Sequence, residues 1–280
     1  KRWQDRMDVQ IWNDDDYMKE GELDSDKKVV KRKFGDIEDN VLTHRARQRI
    51  FYYKCMSQLK QAGSNWTMMT DTDEYVLLNK DEVSKNGLEY IPIQEKGSVH
   101  RFLKQEAKTA IATQTETNWT RPCVQIPRIR FGAQESDIAH IDPDQLPPSV
   151  DRSSLGTLRW QHSADYSNSG ASKAIIDLSR TAWDDLEPVS SIHRPVVNLC
   201  GRRKVYIRKD EQTVLIHHYL GSWVLFTFRD DARKGVIRSI EAFRKAQHFG
   251  TRGRVDDDLI HGWLTGFVAD VGPDMASKLL

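Results

Sequence analysis

Asp71 and Asp73, in the stretch Asp71-Thr72-Asp73-Glu74-Tyr75, are the residues of this chain best suited by type and spacing to do chemistry. Two carboxylates so spaced can converge from a turn on one hard divalent cation, and a cation held in this way keeps positions open for substrate phosphates. The guest such an ion would bring is a nucleotide diphosphate. The preceding run, Trp66-Thr67-Met68-Met69, is too short for a stable helix and reads as a buried strand. The acids then sit where the strand leaves its sheet, and in open α/β sheets ligands bind beyond the carboxyl ends of the strands. A solvated acidic turn has the same composition; the apolar runs before it and after it, Tyr75-Val76-Leu77-Leu78, set this one apart.

Several elements must position these acids. Leu42, Ala46, Ile50, Tyr53, Met56 and Leu59 recur at helical spacing, with Asp39 placed to cap and Gly63 to stop. That helix runs into the Trp66 strand, an α-then-β step of the kind found in parallel sheets. Arg49, one turn from Arg45 on another face, can reach an anionic ligand or meet solvent. A second helix is expected over 99–112, capped by Ser98. Cys123 to Gly132 alternates like a strand, with Pro127 suggesting an edge. Residues 137–154, with Pro143, Pro147 and Pro148, read as loop.

Lys173 precedes the buried run Ala174-Ile175-Ile176; a Lys at a strand start is ordinarily solvated. A further strand is expected over 213–217, ending in His217-His218-Tyr219, and helices over 222–233, 237–248 and 257–271. Near the start, Val9 and Ile11 alternate with polar residues as in a strand. Residues 13–38, acidic then basic, read as a charged mobile loop.

Composition narrows the function classes. The 280 residues and 38% hydrophobic content suit a single α/β domain with a sizeable core, and 42 basic against 41 acidic residues do not suggest a nucleic-acid partner. No apolar run reaches the roughly 18 residues of a membrane span. Cys55, Cys123 and Cys200 lack the Cys-X-X-Cys spacing of a zinc knuckle or redox dithiol, allow at most one disulfide, and are expected as buried thiols. Asn65-Trp66-Thr67 and Asn118-Trp119-Thr120 fit the N-glycosylation pattern, Asn118 being favoured because Asn65 abuts the buried strand. The eight tryptophans mostly fall in apolar patterns and read as core.

Taken in order, Gln48-Arg49-X-Phe51-Tyr52, Trp66, Asp71-Thr72-Asp73-Glu74-Tyr75, Arg128-X-X-Phe131-Gly132-X-X-Glu135, Lys173-Ala174-Ile175-Ile176 and His218-Tyr219-X-X-Ser222-Trp223 resemble glycosyltransferase family 92 and related family-2-like transferases. The resemblance implies a GT-A-like α/β nucleotide-binding sandwich over residues 1–280, with a mostly parallel central sheet and a helical C-terminal part at 221–280. It further implies that the first strand is missing, because too little chain precedes Asp71 to supply it. The implied activity is metal-dependent transfer of a hexose, galactosyltransferase-like, from a UDP-sugar to a glycan acceptor. Asp71, Asp73 and His218 are then the metal ligands, with manganese the expected ion and His217 the competing imidazole. Asp71, Asp73, Glu74, Arg49 and Lys173 serve the donor, and Glu135 is the catalytic carboxylate in preference to Asp165 and Asp177. Golgi residence is implied too, with a membrane anchor upstream of Lys1. A metal-dependent phosphoesterase or nucleotidyltransferase would also use paired carboxylates, typically with a further acid or His cluster beside them, and a non-catalytic carbohydrate-binding protein could use the tryptophans.

Overall fold

The computed structural model describes residues 10–17, 39–71, 73–92, 95, 97–113, 121–131, 172–187, 189, 191–200, 212–219, 226, 239–247 and 259–279. Six strands are found among these: β1 Trp66–Met68, β2 Glu74–Leu78, β3 Cys123–Ile126, β4 Arg128–Phe131, β5 Lys173–Asp177 and β6 Val214–Tyr219. The helices are α1 Asp14–Tyr17, α2 Asp39–Gln61, α3 Lys80–Lys85, α4 Ser98–Thr113, α5 Val197–Cys200, α6 Ile240–Gln247, α7 Leu259–Val271 and α8 Pro273–Leu279.

The strands form two three-stranded sheets, β1-β5-β3 and β2-β6-β4. β3 and β4 are one run of chain interrupted at Pro127, which cannot donate to a ladder but whose carbonyl accepts from Ile216 N. The alternation over 123–131 therefore spans both sheets, with Pro127 at their junction, and β3 and β4 are each the terminal strand of their sheet among the described residues, as an edge proline suggests. β1 and β3 run antiparallel to β5, β2 runs antiparallel to β6, and the β4–β6 pair is parallel. The fold is mixed α/β, but the expectation of a mostly parallel sheet fails. A parallel neighbour needs a crossover of a dozen or so residues, and residues 69–73 are too few to set β2 parallel beside β1; β2 instead pairs antiparallel with β6 in the other sheet.

Helices cover both faces of the strands. Phe102 and Leu103 of α4 pack on Val124, Ile126, Ile175 and Ile216 on one face. On the other, Tyr52 and Met56 of α2 pack on Cys123, Ala174 and Ile176, while Leu264 of α7 meets Ile129, Phe131 and Leu215. Of the stripe predicted from spacing, Met56 is buried and Ile50, Tyr53 and Leu59 are half-buried, while Tyr52, outside that stripe, is buried too; α2 is followed by Gly63 in a left-handed conformation (φ 77°) that glycine adopts without steric cost. A disulfide joins Cys123 to Cys200, binding α5 to β3, whereas both had been expected as thiols; Cys55 is free and half-buried.

Other expectations are corrected. Residues 10–12 form no strand, and Ile11 is 84% exposed. α1 lies within the acidic segment, with Tyr17 edge-on to Phe51 of α2; residues 18–38 lie outside the described residues. Of the described tryptophans, Trp66 and Trp263 are half-buried and pack against the core, Trp12 is half-buried, and Trp183 is 53% exposed beneath the Lys60 ammonium. Asn65 is exposed, so the adjacent strand does not bury this acceptor, while Asn118 lies outside the described residues.

Candidate functional site

The polar end of the strands is assembled from short-range geometry. The link between β1 and β2 carries Asp71 and Asp73, and its ends are held by Glu74 N donating to Asp71 O (3.0 Å), Asp71 N donating to Glu74 Oε2 (2.9 Å) and Tyr219 N donating to Asp73 O (3.1 Å). Side chains alternate along a strand and align across register pairs. Glu74 stands opposite His218, and His218 opposite Arg130, so the three form one row across a single face. Arg128 lies two residues before Arg130 on that same face.

Beneath the turn lies an ion network. Lys173 Nζ is 3.0 Å from Glu74 Oε2 and 3.1 Å from Asp71 Oδ2, and Arg128 Nη1 is 3.0 Å from Glu74 Oε1. The Lys173 and Glu74 side chains are fully buried, whereas that of Asp71 is 44% exposed. The expectation of a solvated Lys173 is therefore wrong: two carboxylates compensate the loss of water around the ammonium. Glu74 and Lys173, expected to serve the donor, reach the surface through Asp71. Arg49, expected to serve it too, is half-buried in α2 and does not line the cleft described below.

His218 Nε2 lies 3.4 Å from Asp73 Oδ2. His217 points to the other face, where its ring is fully buried against Phe131 and its Nδ1 is 3.3 Å from the Tyr219 hydroxyl. Of the two adjacent imidazoles, His218 is the one beside the acidic turn. Asp177, an alternative catalytic carboxylate, is at the far end of β5 and is engaged by Arg180 and Ser179. Glu135 and Asp165 lie outside the described residues.

Sequence reasoning passed over His193 and the role of the two β4 arginines. His193 Nδ1 is 3.0 Å from the Ser172 carbonyl, so this nitrogen carries the proton and donates. Burial, with the charges of Arg128 and Lys173, pushes its pKa down to about 4. Burial, followed by the charge of Arg128, also lowers the pKa of Arg130. A signal for the arginines was available: Arg128 and Arg130 continue the face that Val124 and Ile126 begin, and a charge in the parity of a buried row calls for buried partners.

Asp71 lines an open cleft of about 1020 Å³ whose walls include Trp66, Tyr75 and Trp263, with Ser98 and His100 from the first turn of α4. Tyr75 and Trp263 meet edge to face at 5.0 Å. The cleft combines an acid, which favours cations, with a helix N-terminus, which favours anions. Among the described residues no three His, Cys, Asp or Glu side chains converge closely enough to hold an ion by themselves. The donor set fits a divalent cation in the limited sense that Asp71 and Asp73 are hard oxygen ligands on one link and His218 adjoins the second; the remaining positions would fall to water and substrate. No protein-family model, curated protein or solved structure matches the chain.

Proposed function

We propose that the chain is a metal-dependent glycosyltransferase that moves a sugar from a nucleotide-sugar donor, a UDP-hexose, to a hydroxyl of a glycan acceptor. The observation that carries this reading is the cleft's opposed character, with Asp71 on one wall and the start of α4 on another. An isolated anion would be repelled by Asp71 and an isolated cation by the helix terminus. A diphosphate with its divalent ion satisfies both. The aromatic walls suit the flat face of a base or the apolar face of a sugar ring.

Asp71 and Asp73 would hold the ion, manganese by preference, with His218 as the candidate imidazole ligand; bound there, it would neutralise charge developing on the departing diphosphate. Lys173 keeps one Asp71 oxygen occupied and orients the other. The first turn of α4 favours the same negative charge. In the transfer, the bond from the anomeric carbon to the diphosphate oxygen breaks, a bond from that carbon to the acceptor oxygen forms, and the acceptor proton passes to a carboxylate. Glu135 is the proposed proton acceptor, a contribution of roughly 10² to 10⁴-fold. Residence in the Golgi lumen with an upstream anchor belongs to the same reading, and the Cys123–Cys200 disulfide supports an oxidising compartment.

Donor binding tests the proposal. Asp71→Asn and Asp73→Asn should each abolish manganese-dependent binding of a UDP-sugar in calorimetry while leaving the circular dichroism spectrum unchanged. Metal-independent glycan binding, untouched by either substitution, would instead identify a carbohydrate-binding module.

A further inference from the structure

In the cluster beneath and beside the acidic turn, each acid faces a basic side chain: Asp71 faces Lys173, Glu74 faces Lys173 and Arg128, and Asp73 faces the His218 imidazole. Arg130 is different. It is half-buried, its Nε is buried with no hydrogen-bond partner, and among the described residues no acid pairs with it. Its register partner across β4 and β6 is His218, and Arg128 precedes it on the same face, so its nearest strand neighbours add positive charge or none.

A guanidinium does not shed its proton in a protein. Burial and the adjacent Arg128 both work against its charge, so the location is unfavourable to Arg130 unless an anion completes it. Such an anion would find a planar fork of donors, which matches the paired oxygens of a phosphoryl or similar oxyanion better than a halide.

We propose that Arg130, flanked by His218 and Arg128, is an oxyanion-binding site that accepts a phosphoryl-type group of the substrate. The site itself rests on the geometry of β4 and β6; assigning the group to a donor or an acceptor rests on the transferase reading. Two sources share this chemistry, the diphosphate of a nucleotide-sugar and a sulfate or carboxylate on an acidic glycan.

The experiment is calorimetric titration with inorganic pyrophosphate, in chelator and at low ionic strength, of the wild-type chain, Arg130→Gln and Arg130→Lys. The wild type is expected to bind and Arg130→Gln to bind roughly ten- to a hundredfold more weakly, the usual value of a charge-assisted contact. Arg130→Lys should retain part of the affinity, having kept the charge without the fork. Without ligand, Arg130→Gln should melt at or above the wild-type midpoint, because it removes a cation that no acid among the described residues compensates. Equal binding by wild type and Arg130→Gln, or no binding by wild type, overturns the site. A second pair of titrations identifies the source: loss of affinity for UDP-sugar with manganese in Arg130→Gln assigns the group to the donor, and loss for a sulfated or carboxylated glycan assigns it to the acceptor. Pyrophosphate binding that depends on Arg130, in a chain that binds no nucleotide-sugar with metal, would sink the transferase reading and leave this site standing.

Discussion

Glu74 and Asp71 share one ammonium, that of Lys173, yet their carboxylates lie in different media. Glu74 is sealed between Lys173 and Arg128 with no exposed side-chain surface, whereas Asp71 has 44% of its own exposed and borders the cleft. The difference separates support from chemistry. A sealed ion network fixes geometry and has little freedom to exchange partners, while a carboxylate tethered by one oxygen can offer the other to a ligand. The acids lie within one short stretch of sequence, and only their position relative to the strands distinguishes them.

The largest effect that would break this comparison comes from beneath. Lys173→Met should destabilise the fold by about 3–5 kcal/mol in urea titration, because it leaves Glu74 buried against Arg128 alone and Asp71 without its tether. Asp71→Asn should cost less, about 1 kcal/mol, because its carboxylate is 44% exposed and Glu74 still faces the buried ammonium. Equal costs would mean that the two carboxylates do not differ in role.

A smaller effect concerns His193. Its folded pKa, about 4, lies below its ordinary 6.5. Above the ordinary value both states hold it neutral, and its neutral burial is compatible with the fold. As pH falls from 6.5 toward 4 the unfolded chain takes up a proton that the folded chain refuses, so stability is lost across that window. After discounting for partial exposure, the loss should be on the order of 2 kcal/mol, and His193→Gln should flatten the stability profile over that range by this amount. An unchanged profile would separate His193 from the cationic network.

The smallest expected effect is on metal preference. His218→Ala should weaken manganese by roughly tenfold and magnesium hardly at all, since imidazole suits the softer ion, while altering stability by less than about 1 kcal/mol. Titration of both metals against His218→Ala and His217→Ala decides between the imidazoles. A loss confined to His217→Ala would contradict the strand geometry, which turns that ring into the core.

Local patterns carried much of the fold. The half-buried positions of α2, the run that became β5 and the alternation of 123–131 are each properties of one segment, which its own residues can express. The antiparallel pairing of β2 with β6 was not legible, because it depends on which strands pair rather than on what either contains. The burial of Lys173 was hidden for the same reason: its carboxylate partners are remote in sequence, and a Lys preceding an apolar run has the same composition whether solvated or sealed. Asp71 and Asp73 could be nominated from residue type and spacing, and His218 from the resemblance. Arg130 had a signal in its parity with Val124 and Ile126, whereas His193 is distinguished by what surrounds it, and those surroundings exist only after folding.

The disulfide gives the site a covalent topology. By closing on Cys123 and Cys200, 77 positions apart, it turns the intervening chain into a ring that contains Arg128, Arg130, Lys173 and His193. Asp71, Asp73 and Glu74 lie on the arm before that ring and His218 on the arm after it. The strongly basic half of the cluster is therefore cross-linked to itself, and the acids dock onto it from outside. Closure of a loop of this size restricts the unfolded chain by roughly 4 kcal/mol in the chain-entropy account. Reduction would release that restriction on the cationic half alone, so the acids would be docking onto a platform whose own assembly had become the weaker step.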